Sequence, residues 1–259
     1  MQVFLHTFRC IIDYKFNGAD RVQKQNILLT DIGIDTNFSN DIAIEIRNKC
    51  RELGLNGWVI SPFWEPDLGE TWYNTWYDLQ KNGEKEKITD FFRENDYKLL
   101  NYIRGYARFD VEKYDWWTEA EDLFDNKLYF GCALILAAIL EREVRNCPID
   151  NWRYQITRYF NESVSDKIEQ IYHDEKIEPI SRYIDTLLLL PSLDGFIKTF
   201  YNSGYTFEKG IEADFVERNW LMHGMTNRKV SEEDCIKLFN AIGSLCYVRH
   251  TLFKTDYRQ

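Results

Sequence analysis

Gly131-Cys132-Ala133-Leu134-Ile135-Leu136-Ala137-Ala138-Ile139-Leu140 carries no polar side chain over ten consecutive positions. A helix that is apolar all round belongs at the centre of a bundle. Gly131, Ala133, Ala137 and Ala138 would also let a neighbouring helix approach closely. Thr118, with Glu121 three residues later, has the spacing of a capping box, and Cys147-Pro148 stops the run. One helix is therefore predicted over 118–146. Glu141 follows directly on the apolar stretch, with Arg145 one turn later. Two readings stay open for this carboxylate: an ordinary i, i+4 pair worth about 0.2–0.5 kcal/mol, or a partly buried charge that orients Arg218 across the bundle.

Helical periodicity extends outward on both sides. Downstream, Trp152, Tyr154, Ile156, Tyr159, Phe160, Ile168 and Ile171 mark an amphipathic helix, and the segment from Ile180 is short because Pro191 ends it. Leu193, Phe196, Ile197 and Phe200 give another helix, and a further one begins near Phe207. Ser231 with Asp234 caps a last helix through Ile236, Phe239, Ile242, Leu245 and Val248. Upstream, a helix capped by Ser39 or Asn40 runs to Gly54 or Gly57, and Ile88 to Ile103 makes one of about five turns. Trp72, Tyr73, Trp76 and Tyr77 share a helical face, which suits either stacked bases or, more commonly, a core. Residues 1–36 show no sustained period. No strand alternation survives after residue 70, so the fold class expected is all-α, with residues 1–110 a mostly helical N-terminal region and 111–259 a second helical domain.

Composition narrows the chemistry. With 44% hydrophobic and 16% aromatic residues, the 259-residue chain has what a folded core requires. No apolar run reaches the ~20 residues of a membrane span, and the N-terminus lacks a basic n-region and cleavage site, so a cytoplasmic protein away from membranes is expected. Cys10, Cys50, Cys132, Cys147, Cys235 and Cys246 form no CxxC pair, and His6, His173, His223 and His250 lie far apart. Neither a metal nor another cofactor is expected. A net charge of −10 argues against broad affinity for nucleic acid, yet the charged residues between 218 and 230 are all basic: Arg218, Arg228 and Lys229. That suits either a small phosphate site, with Arg228 and Lys229 as contacts, or a solvated helix end.

Arg218 stands in Val216-Glu217-Arg218-Asn219-Trp220-Leu221-Met222-His223-Gly224, with Arg228 and Lys229 just beyond it; Phe215, Val216, Trp220 and Leu221 recur at helical spacing and Gly224 stops the helix near His223. Arg218 and His223 are five residues apart and point about 140° away from each other on an ideal helix. They converge only if the helix ends at His223 or if a second copy supplies the missing group. A histidine at a helix C-terminus also has a plain structural explanation, since imidazolium favours the negative end of the dipole.

Arg218-Asn219, three residues, then His223-Gly224 resembles the Arg-x4-6-His signature of the HEPN superfamily, over roughly residues 117 to 256. The resemblance implies a four-helix bundle, here near 118–146, 193–203, 208–223 and 231–252, with 150–190 as an insertion. It implies a metal-independent endoribonuclease of toxin or antiphage-defence type, or a catalytically silent bundle that binds protein or nucleotide. Its site residues would be Arg218 and His223, with Asn219 and Glu141 in support. The partners implied are RNA, a second copy of the chain forming a homodimer, and an antitoxin or other regulatory protein. The side chains suit the chemistry: imidazole titrates near about 6.5 and can take a ribose 2′-OH proton, while an arginine fork can neutralise charge on phosphoryl oxygens.

Overall fold

A computed structural model describes residues 40–63, 72–146, 188–201, 209–212 and 214–253. Every regular element among them is helical: α1 (Asn40–Leu55), α2 (Trp72–Lys81), α3 (Glu86–Arg108), α4 (Tyr114–Asp125), α5 (Tyr129–Asn146), α6 (Leu190–Phe200), α7 (Arg218–Met222) and α8 (Glu232–Phe253). The chain is all-α over these residues. The amphipathic helix expected after residue 150, and most of the 150–190 insertion, lie outside them.

α5 packs against α4 and α8, α8 also against α3, and α6 lies along α1. Leu136, Ile139 and Leu140 of α5 share one apolar cluster with Phe239 and Ile242 of α8, Phe92 and Ile103 of α3, and Leu53 and Phe196 from the α1–α6 pair. The core thus runs on across residue 110. Tyr73 and Trp76 are buried within it, Trp76 edge-on to Trp58 at 5.9 Å between ring centroids, so these two rings are core.

Three expected helices differ. The helix over 118–146 is two, because α4 closes at Asn126 with Lys127 in the left-handed region (φ 61°) and N–H bonds from Lys127 to the Phe124 carbonyl (2.9 Å) and from Leu128 to the Leu123 carbonyl (2.8 Å). Those two bonds are the Schellman closure, made here without glycine. Thr118 lies inside α4, and Glu121 is buried beneath Arg104 and Arg108 instead of capping. Pro191 opens α6 rather than ending a helix, as suits a residue whose missing N–H would be unbonded in the first turn anyway. The helix expected over 208–223 is only α7, five residues long.

α3 bends sharply at Glu94–Tyr97, where Asn95, Asp96 and Tyr97 all have φ between 49° and 58°. Left-handed backbone at three successive non-glycine residues is costly. Glu232, in the first turn of α8, holds the bend in place: Arg93 donates through Nε (3.1 Å) and Nη2 (2.7 Å), and the Tyr97 hydroxyl donates to its other oxygen.

The tightest contact is the crossing of α1 and α6. A Cβ on Gly54 would lie 1.9 Å from the Ser192 carbonyl oxygen, and one on Gly195 2.2 Å from that of Arg51. Next to this crossing, the non-helical residues Trp58 to Ser61 are fully buried, so their backbone groups need partners inside the protein. Ser192 Oγ accepts from the Ile60 N–H at 2.9 Å, and Asn240 Nδ2 donates to the Val59 carbonyl at 2.6 Å. Overpacking an interior usually costs about 1–3 kcal/mol, and backbone has no rotamer with which to yield. Gly54→Ala and Gly195→Ala are each expected to cost about 3 kcal/mol or more in chemical denaturation. Gly105→Ala, inside α3 with nothing within 4 Å of its Cβ, is expected to raise stability by about 0.5–1 kcal/mol through helix propensity alone. Equal effects at all three positions would refute the crossing.

Candidate functional site

The chain reaches the site from a non-helical segment, in which Phe215 and Val216 are both buried. Phe215 packs on Phe196 of α6 at 5.6 Å between centroids. Glu217 (φ −103°, ψ 134°) is the last extended residue, and α7 starts at Arg218. The helix stops at His223: Gly224 takes φ 65°, its N–H bonds the Leu221 carbonyl (3.1 Å), and the Met225 N–H bonds that of Trp220 (2.9 Å). Glycine is suited to this left-handed position because it has no Cβ. Arg218 and His223 thus occupy opposite ends of a turn and a half of helix.

Arg218 is held by α5. Its Nε and Nη2 donate to the two oxygens of Glu141 at 2.9 and 3.1 Å, a bidentate fork, and Nη1 donates to Asn219 Oδ1 at 2.9 Å. Arg145 Nη2 reaches the same carboxylate at 2.5 Å, so both readings of Glu141 hold at once, the i, i+4 pair and the contact across the bundle. Three bonds use three of the five guanidinium N–H groups and leave one on each Nη. Burial alone would raise the Glu141 carboxyl, but the Arg218 fork and then Arg145 outweigh it and hold the group below its ordinary range. Two cations on one carboxylate leave the cluster net positive.

His223 is exposed at the C-cap of α7, its backbone N–H donating to the Asn219 carbonyl at 3.1 Å. Exposed Met222 and Met225 flank it. Of the two candidate phosphate contacts, Lys229 is exposed, whereas Arg228 is gripped by Asp234 through Nη1 and Nη2, both at 2.8 Å. Asp234 also accepts from the Ser231 N–H at 2.8 Å, closing the expected cap of α8. The structure therefore groups Glu141, Arg145, Arg218 and Asn219, and leaves Arg228 in a clamp of its own.

Two residues that sequence reasoning passed over border this group. The buried Tyr201 hydroxyl has no hydrogen-bond partner among the described residues, and burial, with the Glu141 charge adding to it, pushes its phenol up. Nothing in the sequence marks Tyr201. Glu217 is 2% exposed, and both of its carboxyl oxygens are buried without a hydrogen bond among the described residues. A carboxylate between Phe215-Val216 and Trp220-Leu221 was a readable signal, overlooked beside Arg218. Burial pushes it up to about 7, and Glu212 adds to the rise.

Among the described residues no group of three or more His, Cys, Asp or Glu is placed to hold a metal ion, and no helix is long and apolar enough to cross a membrane. Comparison with protein-family models, curated proteins and solved structures gives no match.

Glu217 gives stability a pH dependence of determined sign. Below the ordinary value of 4.5 the carboxyl is protonated in the folded and unfolded chain alike. As pH rises from there the unfolded chain ionises first, so stability is lost until the native carboxyl titrates near about 7. Glu217→Gln is expected to stabilise the protein by roughly 1–3 kcal/mol at pH 8 and to leave it unchanged at pH 4. Urea titrations at the two pH values measure this, and a gain of equal size at both would refute it.

Proposed function

We propose that the chain is a metal-independent endoribonuclease of HEPN type, of the kind found in toxin and antiphage-defence systems, acting through Arg218 and His223. The observation that carries this reading is the Glu141 fork on Arg218. It fixes a guanidinium at the start of the short helix that ends at the exposed His223, while two N–H groups remain available for phosphoryl oxygens. A donor set fixed before the reaction needs no reorganisation as charge develops, which is the main source of electrostatic catalysis.

In this mechanism His223 takes the proton from a ribose 2′-OH. The oxygen attacks the adjacent phosphorus, the bond to the 5′-oxygen breaks, and the products are a 2′,3′-cyclic phosphate and a 5′-hydroxyl once that oxygen is protonated. Arg218 stabilises the charge on the non-bridging oxygens, and Asn219 steadies the Nη1 side of the fork. Because Arg218 and His223 sit at opposite ends of α7, a homodimer that juxtaposes two copies of the helix would complete the site. The exposed apolar side chains of Ile211, Met222 and Met225 supply surface for such an interface. An antitoxin or other regulatory protein is a further partner of this reading.

One observation favours a silent bundle that binds protein or nucleotide: three of the five Arg218 donors already face the protein's own side chains. Activity decides between the two. With EDTA present, the wild type is expected to cleave single-stranded RNA and leave cyclic phosphate ends. His223→Ala is expected to reduce the rate by about 10²-fold or more, with stability within about 1 kcal/mol, as for an exposed residue. Arg218→Lys, which keeps a charge beside Glu141 but loses the fork, is expected to be comparably inactive. Cleavage only with added divalent metal, or undiminished cleavage by both variants, would overturn the mechanism. Mixing Arg218→Lys and His223→Ala protomers is expected to restore part of the activity if the groups act between copies.

A further inference from the structure

A groove of about 450 Å³ lies between the α4–α5 turn and the loop that follows His223, with Lys127, Phe130 and Gly131 on one side and Thr226, Arg228 and Lys229 on the other. Both walls are fixed. Each begins at a helix end closed by the paired N–H bonds described above, at Lys127 and at Gly224. The second wall is further tied by Glu212, which accepts from the Thr226 hydroxyl and from the backbone N–H of Asn227 (2.9 Å).

The charges in and around the groove are unevenly matched. Glu232 is held by Arg93 and Tyr97, Asp234 by Arg228 and Ser231, and Glu212 by its own loop. Lys127 and Lys229 make no hydrogen bond or ion pair among the described residues, though Glu232 feels the Lys127 charge. An acidic protein thus presents two uncommitted cations at one groove. Beside them Phe130 is 50% exposed and Leu128 57%, although both could have been buried at no polar cost. Two lysines with an exposed aromatic ring suit an anion that carries a flat apolar face. The volume is at the low end of the ~300–1,000 Å³ typical of small-ligand sites and suits one nucleotide or two.

We infer that this groove is the subsite for the nucleotide next to the scissile phosphate of a single-stranded RNA, whose base stacks on Phe130 while its backbone phosphate lies between Lys127 and Lys229. The inference rests on the reading of the chain as an enzyme acting on RNA. Lys229 is six residues beyond His223, on the loop that forms the second wall of the groove. Stacking on a lone phenylalanine is tolerant of base identity, so the subsite would grip the strand without specifying its sequence.

The test uses the full chain and a fluorescent 2′-O-methyl oligouridylate, which lacks the nucleophile and reports binding without cleavage. Phe130→Ala is expected to weaken binding about fivefold or more. Lys229→Glu, and Lys127→Asn, which suits the left-handed backbone there, are each expected to lower the dependence of log affinity on log salt by about one. Lys198→Glu on α6, a charge change elsewhere, is expected to leave the slope unchanged. A 4-thiouridine strand is expected to crosslink within residues 127–131. If the wild type binds or cleaves RNA and these variants match it in affinity and KM, the groove is not the subsite and the RNA reading stands. If the wild type neither binds nor cleaves any RNA, the RNA reading falls and the subsite with it. Displacement of the strand by an acidic peptide, with Phe130→Ala silent, would make this a peptide groove and overturn the inference.

Discussion

The backbone-to-backbone crossing of α1 and α6 at Gly54 and Gly195 fixes the position of everything that follows α6. Because no side chain separates the two helices there, α6 has little freedom to slide or rotate. From that fixed helix Phe196 receives Phe215, and Phe215 anchors the non-helical segment that delivers Arg218 to Glu141. Lys237 reinforces the same junction from α8. It is buried, with its ammonium 4.5 Å from the Trp58 ring centre, 5.4 Å from that of Phe215, and 2.7 Å from Glu233 Oε1. Burial lowers its pKa despite that carboxylate, so the charge stays there at a cost which the rings and Glu233 offset.

Charge pairing divides the interior into structural and chemical parts. Arg249 binds Glu143 and Asp110, Arg104 and Arg108 bind Glu121, and Arg228 binds Asp234. These arginines satisfy carboxylates from neighbouring elements, and each acid in the set would be expensive to bury alone. Glu217 departs from that rule, with neither oxygen bonded, and it immediately precedes Arg218. A protein that neutralises its other buried acids with guanidinium groups leaves this one to be neutralised by a proton.

The helical class was legible because burial and period agree over long segments. Ile46 and Leu53, Ile88 to Ile103, and Ile236 to Val248 each lie on the face that spacing assigns to the core. The stop after His223 was legible too, since Gly224 serves the left-handed position that ends α7. Lys127 performs the same task for α4 without any compositional mark, so the break in the 118–146 run could not be seen. The helix expected over 208–223 failed for a different reason. Phe215 and Val216 match a helical pattern but are buried from non-helical chain, where tertiary contacts prevail over period. The Glu141–Arg218 contact could be suspected from a charge placed directly after an apolar run. That Arg228 would be captured by Asp234, six residues on, depends on the cap of α8 and was hidden.

The brevity of α7 bears on when the site comes into existence. Isolated helices shorter than about 12–15 residues are marginal in water, because the first turn fixes several torsions for one hydrogen bond. Five residues from Arg218 to Met222 cannot hold a helix unaided, so α7 forms only once α5 and α6 are docked to receive it. During synthesis and folding the chain would pass through collapsed states with most of its helices formed and the arginine and histidine not yet fixed relative to each other. Local opening in the finished protein would release the same short segment before the core yields. Amide exchange across 218–223 would then run faster than in α5 or α8, leaving a rigid scaffold with one corner that is the last part to order and the first to let go.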